Sequence, residues 1–265
     1  MATSASEGRI LVLLPPPTGM VQIPAGSFLM GSCDGSDPER PVHEVFVEEF
    51  CMDATPVTNR EFGQFVKATE YVTDAELAGR AWEFNGGEYF RRAGLCWKAY
   101  ASADRDDHPV VLVSWHDAVA FANWAGKQLP TEAQWERAAR GGLAGALYPW
   151  GDEPPKREKC TYGSRSSAVP PTAPVRCFTP NGYGLYDVVG NVWQWCADWF
   201  SPGYYHDSPR QDPSGPASGI HRVRRGGAWN VIHPFRLRVA NRAALHPSSC
   251  APNVGFRCVW TARSV

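Results

Sequence analysis

Glycine occurs 25 times and proline 23 times in 265 residues. Glycine weakens helix interiors through its backbone freedom, and proline removes a backbone donor and clashes with the preceding turn. A chain so rich in both cannot sustain long helices. Its turns must be tied together by large side chains, and 11 tryptophans are available for that. The expectation is one large, loop-rich domain, since irregular folds of this length often share a single core.

Hydrophobic residues at 43% and charged residues at 20% are ordinary for a folded protein, so neither disorder nor a fibre is indicated. The formal net charge is −1, and Lys and Arg are scattered, which gives no footprint for nucleic acid. The densest basic cluster, Arg222, Arg224 and Arg225, reads as a structural or rim feature. Ile10–Leu14 is too short to cross a bilayer and lacks the flanks of a secretory signal, so no membrane association and a cytoplasmic location are expected. Eight cysteines contain no C-x-x-C and no zinc-site spacing; reduced thiols packed as small core residues are expected.

Along the chain, residues 1–19 with Pro15-Pro16-Pro17 read as a flexible or extended arm, and 20–265 as the domain. Val21–Pro24 followed by Gly26–Gly31 suggests a short hairpin, and His43–Phe50 a strand. Thr58 and Glu61 form a capping box that predicts a helix near 58–68. Residues 70–108 show no clear period and are expected to pack through Trp82, Phe84, Trp97 and Tyr100. Val110–Val113 reads as a β-run. Ser114 with Asp117 and Thr131 with Gln134 then predict helices near 115–125 and 131–140. Gly255–Trp260 is a candidate terminal core strand.

Several of these segments, in this order, resemble the formylglycine-generating-enzyme (sulfatase-modifying-factor) family. The matching words include Ile23-Pro24-Ala25-Gly26, Pro56-Val57-Thr58-Asn59, Leu129-Pro130-Thr131-Glu132-Ala133-Gln134-Trp135-Glu136, Tyr148-Pro149-Trp150-Gly151, Asn181-Gly182-Tyr183-Gly184-Leu185-Tyr186-Asp187, Gly190-Asn191-Val192-Trp193-Gln194-Trp195, Arg225-Gly226-Gly227 and Gly255-Phe256-Arg257. The resemblance covers about 20–260 and implies a C-type-lectin-like α+β fold with little regular secondary structure and a substrate groove bordered by the late loops. It also implies two copper-binding cysteines, five residues apart, after the Gly-Gly word. This chain has no cysteine between Cys196 and Cys250, and Ala228 replaces the family's serine. Copper(I) chemistry needs soft thiolates, so oxidation of a sulfatase cysteine is not expected. The resemblance further implies a structural calcium held by Asp187, Gly190, Val192 and Gln194, with acid then amide where the family commonly has amide then acid.

Two functions follow as expectations. In the first, the chain is a non-standard, metal-dependent oxidoreductase acting on a peptide or small molecule. His233 and His246 would be its catalytic or metal-ligating residues, with iron or another transition metal as cofactor. No two of the late-loop histidines have an i, i+4 ligand spacing, and a lone histidine is more often a surface or hydrogen-bonded residue. In the second, it is a non-catalytic module that binds a ligand or protein through its 228–254 loops. Under either, Trp229, Asn230, Phe235, Arg236, Arg238 and Arg242 are the expected substrate-binding residues, although such a loop also sends side chains into the core. Family usage leans to the enzyme. Nothing in the sequence sets an oligomeric state.

Overall fold

A side-chain hydroxyl caps every α-helix described in the computed structural model, which describes residues 17–165 and 169–262. The arm expected over 1–19 lies, up to residue 16, outside the described residues. Helices α1 (Asn59–Thr69), α2 (Asp74–Ala78), α3 (Trp115–Trp124) and α4 (Glu132–Ala139) each start after a Ser or Thr whose hydroxyl accepts from the third helical amide, while the third side chain returns to the cap. Such a cap contributes about 1 kcal/mol. Three helices fall where their capping signals put them. α2 is additional, and Thr73 and Glu76 carry the same signal.

The strands are short: β1 (Met20–Ile23), β2 (Gly26–Met30), β3 (His43–Val47), β4 (Phe50–Asp53), β5 (Arg80–Asn85), β6 (Glu88–Ala93), β7 (Trp193–Trp199), β8 (Arg222–Arg225), β9 (Arg242–Leu245), β10 (Val254–Gly255) and β11 (Val259–Trp260). One sheet has the order β10-β7-β8-β9, another β1-β4-β11, and β2-β3 and β5-β6 form separate ribbons. The expected hairpin between 21–24 and 26–31 is not formed. β1 pairs with β4 and β2 with β3, because the turn at Pro24–Gly26 sends the two segments into different sheets. Val110–Val113 is buried but not a strand: Leu112 takes φ 62°, and amides 110 and 112 donate to Val57 and Ala251 carbonyls. The terminal core strand is likewise split, with Gly255 on β7 and Val259 on β4.

Large aromatics hold these pieces together, as the composition requires. Trp135, Trp195 and Trp229 are among the largest fully buried side chains. Between α4 and the main sheet lies a buried ionic lattice. Arg225 pairs with both Glu132 (3.1 Å) and Glu136, Arg140 with Glu136 (2.6 Å), and Arg242 with Glu132 (2.7 Å). Each carboxylate therefore meets two guanidinium groups, the arrangement that makes burial of charge tolerable. All eight cysteines are free thiols. No helix among the described residues is long and apolar enough to cross a membrane.

Candidate functional site

Strand alternation on β8 separates two kinds of arginine. Val223 and Arg225 point inward, whereas Arg222 and Arg224 lie on the more open face. Arg222 is sandwiched between Trp115 (3.8 Å) and Trp199 (3.5 Å). Arg224 instead leans over Trp193 at 4.8 Å and faces a cleft. The chain leaves β8 through Gly226 and Gly227, with φ of 96° and 72°; a Cβ on Gly226 would lie 2.6 Å from the Val188 carbonyl oxygen. Only glycine permits this close passage. The loop that follows is pinned from below: Trp229 N–H donates to Asn191, and the amides of Ser164 and Gly163 donate to Trp229 and Val231 carbonyls.

The opposite wall is the β5–β6 hairpin, whose two-residue turn Gly86-Gly87 has φ of 62° and 95°. Phe84 anchors it, packing edge-on against Trp229 with ring centroids 5.4 Å apart. Between hairpin and loop lies a cleft of about 350 Å³, lined by Phe84, Tyr89, Arg165, Trp193, Arg224, Asn230, Val231, Ile232, His233, Arg236 and Asn253 together with the turn glycines. The Tyr89 hydroxyl accepts from Asn230 Nδ2 (2.7 Å) and Asn253 Nδ2 (2.8 Å), and Asn253 Nδ2 also donates to Asn230 Oδ1 (2.9 Å). The phenolic proton is thus left to donate elsewhere. Burial pushes the Tyr89 pKa up, so the hydroxyl stays protonated.

Of the expected substrate-binding residues the structure brings Asn230 and Arg236 to this cleft, together with His233, expected as a catalytic or metal-ligating residue. Trp229 is not an anchor facing solvent: it is 1% exposed and its Nε1 donates to the Pro252 carbonyl. Arg238 and Arg242 are buried ion-pair residues, joined to Glu39 (2.9 Å) and Glu132 (2.7 Å). Phe235 is exposed and stacks beside His233. His246 lies apart from the cleft, beside His221. The pairing of His233 with His246 is therefore not formed, and among the described residues no three His, Cys, Asp or Glu side chains gather to hold a metal ion. The sequence reading missed Tyr89, Trp193, Arg224 and Asn253. The Asn85-Gly86-Gly87 turn, with aromatics on both sides, was the signal for the hairpin that supplies Tyr89.

Two of the four expected calcium donors, Asp187 and Gln194, are already engaged by protein groups. Gln194 Oε1 already accepts from Trp135 Nε1 (2.9 Å) and Arg257 Nε (2.8 Å), while its Nε2 donates to the carbonyls of Asp187 (2.9 Å) and Val188 (3.2 Å). Trp and Arg nitrogens only donate and carbonyls only accept, so the amide orientation is forced. A carboxylate here would have one oxygen for the two donors and another for a cation. The amide has one oxygen, already used. The Asp187 carboxylate accepts from the Arg176 amide (3.0 Å), and the buried Arg257 guanidinium, 3.1 Å from the Asp187 carbonyl, already places a positive charge there.

Comparison with known proteins places this geometry in a family. Residues 14–262 match the model described as Sulfatase-modifying factor enzyme 1-like domain. The Formylglycine-generating enzyme of Streptomyces coelicolor is 44% identical over 91% of this chain and 88% of its own. The Inactive C-alpha-formylglycine-generating enzyme 2 of Bos taurus is 38% identical over 90% of this chain and 87% of its own. Among solved structures, PvdO from Pseudomonas aeruginosa superposes with a TM-score of 0.73 at 27% identity, covering 91% of this chain and 93% of its own. The chain belongs to the formylglycine-generating-enzyme family and has its C-type-lectin-like α+β fold.

Proposed function

We propose that this chain is a ligand-binding member of the family, holding a peptide or small molecule in the cleft between the β5–β6 hairpin and the 230–236 loop without copper–cysteine oxidation. One observation carries the reading. The stretch where the family resemblance puts the cysteine pair borders the cleft, and there it presents Asn230, Val231, Ile232, His233 and Arg236, with no cysteine among the described lining residues. These groups bind by shape, charge and hydrogen bonds; none supplies a soft thiolate. The similarity to an inactive paralogue supports the same reading.

A second reading, a metal-dependent oxidoreductase, draws on the higher identity to a formylglycine-generating enzyme, 44% against 38% for the inactive relative. The two separate in one assay. A peptide carrying a sulfatase-type cysteine motif is incubated with the protein, copper and oxygen, and separately with iron, and followed by mass spectrometry and oxygen consumption. The binding reading expects unchanged peptide and no protein-dependent oxygen uptake. Aldehyde formation, or metal-dependent uptake lost in His233→Ala, would overturn it.

A further inference from the structure

The charge of the cleft names the class of ligand, an inference that rests on the binding reading above. Arg165 and Arg236 stand exposed at its mouth and Arg224 at its base, while no described residue lining it is acidic. Arg224 differs from the buried arginines that are ion-paired nearby. Arg225, Arg238 and Arg242 are each neutralised by a buried glutamate. Arg224 forms no ion pair among the described residues, and its Nε is buried without an acceptor. Burial pulls its pKa down to about 10, and nearby Arg236 adds to the effect. At neutral pH it remains a cation, enclosed by protein and lacking a counter-charge, so an incoming anion regains part of the lost solvation.

The neighbouring groups define the rest of the ligand. The free proton of the Tyr89 hydroxyl is a further donor beside Arg224. Asn253 Oδ1 is a buried acceptor without a partner in a residue only 2% exposed, and it calls for an N–H or O–H. Phe84, Trp193 and Ile232 supply flat apolar wall. We propose that the cleft takes an oxyanion-bearing ligand, a carboxylate or phosphate carried on a flat apolar body with a hydrogen-bond donor, and that the anion sits on Arg224.

The test uses the full chain and three probes in titration calorimetry: hippurate (N-benzoylglycine), its neutral amide hippuramide, and benzamidomethylphosphonate, which keeps the ring and amide N–H of hippurate and replaces the carboxylate by a tetrahedral anion. Hippurate or the phosphonate should bind, more tightly at low ionic strength, and hippuramide should not; the stronger of the two anions identifies a planar or tetrahedral group. Arg224→Met should weaken anion binding by more than about tenfold. Arg236→Gln, an exposed change that leaves the core intact, should weaken it by a smaller factor. Equal binding of hippuramide, or no loss in both variants, overturns the anion assignment and leaves the binding reading standing. No heat with any probe also overturns the assignment, while the binding reading is judged separately by the peptide-oxidation assay.

Discussion

Replacing Trp229 distinguishes a core tryptophan from a ligand anchor. The side chain is 1% exposed, packs edge-on against Phe84 at 5.4 Å, and donates to the Pro252 carbonyl at 3.1 Å. Truncating a buried tryptophan to alanine costs about 3–5 kcal/mol through lost transfer energy and the cavity left behind. Leaving the Pro252 carbonyl without its donor adds about 1 kcal/mol. For a chain of this size, a loss of about 1 kcal/mol lowers the melting temperature by about 2–4 °C, so Trp229→Ala should melt roughly 8–24 °C below the parent. Trp229→Phe keeps most of the packing and forfeits the hydrogen bond, a loss of about 1–2 kcal/mol. Urea denaturation of the three proteins gives the comparison directly. An exposed anchor would cost less than about 0.5 kcal/mol. A Trp229→Ala midpoint indistinguishable from the parent would refute the placement of this residue, and with it the hairpin-to-loop contact that shapes the cleft.

Excess chelator should leave the melting curve unchanged, whereas Gln194→Glu should lower stability in chelator and regain it on adding calcium; a chelator-sensitive parent would contradict the forced amide orientation. Arg225→Met leaves Glu132 and Glu136 short of a partner and should cost about 3–5 kcal/mol by urea denaturation, with a loss below about 1 kcal/mol counting against the buried lattice. Burial, reinforced by Glu132, pushes the Asp198 pKa up from 3.8 to about 8. Folded Asp198 therefore keeps a proton that the unfolded chain has released, so its contribution to stability is greatest below about pH 4 and is lost as pH rises toward 8. Asp198→Asn should flatten the decline of melting temperature between pH 5 and 8, and an unaltered slope would remove Asp198 as its source.

Local grammar carried much of the fold. The Ser and Thr caps located three helices because a cap satisfies neighbouring amides and needs no distant partner. Strand partners were less legible: whether Val21 pairs with 26–30 or with Met52 depends on sheets assembled from remote segments. At the site, Asn230, His233 and Arg236 were accessible to sequence reasoning because they lie on one loop. Arg224 was hidden in an Arg-Val-Arg-Arg run whose alternation separates a buried salt-bridging arginine from an unpaired one next to it. Asn253 and Tyr89 meet Asn230 only through tertiary structure, at sequence separations of 23 and 141 residues. Trp229, Arg238 and Arg242 are buried outside the cleft, and composition alone does not tell a binding loop from one that fills the core. The engagement of Gln194 Oε1 depends on Trp135 and Arg257, which lie 59 and 63 residues away in sequence.

Copper(I) binding tests the central claim most directly, because the account holds that the cleft has no thiolate pair. Cys33 and Cys177 are exposed and could capture copper adventitiously, so the measurement belongs on a Cys33→Ser, Cys177→Ser double variant. Titration of this protein against a competing copper(I) chelator should reveal no stoichiometric tight site. One copper per chain held against the competitor, and released by substitution within 228–237, would contradict it.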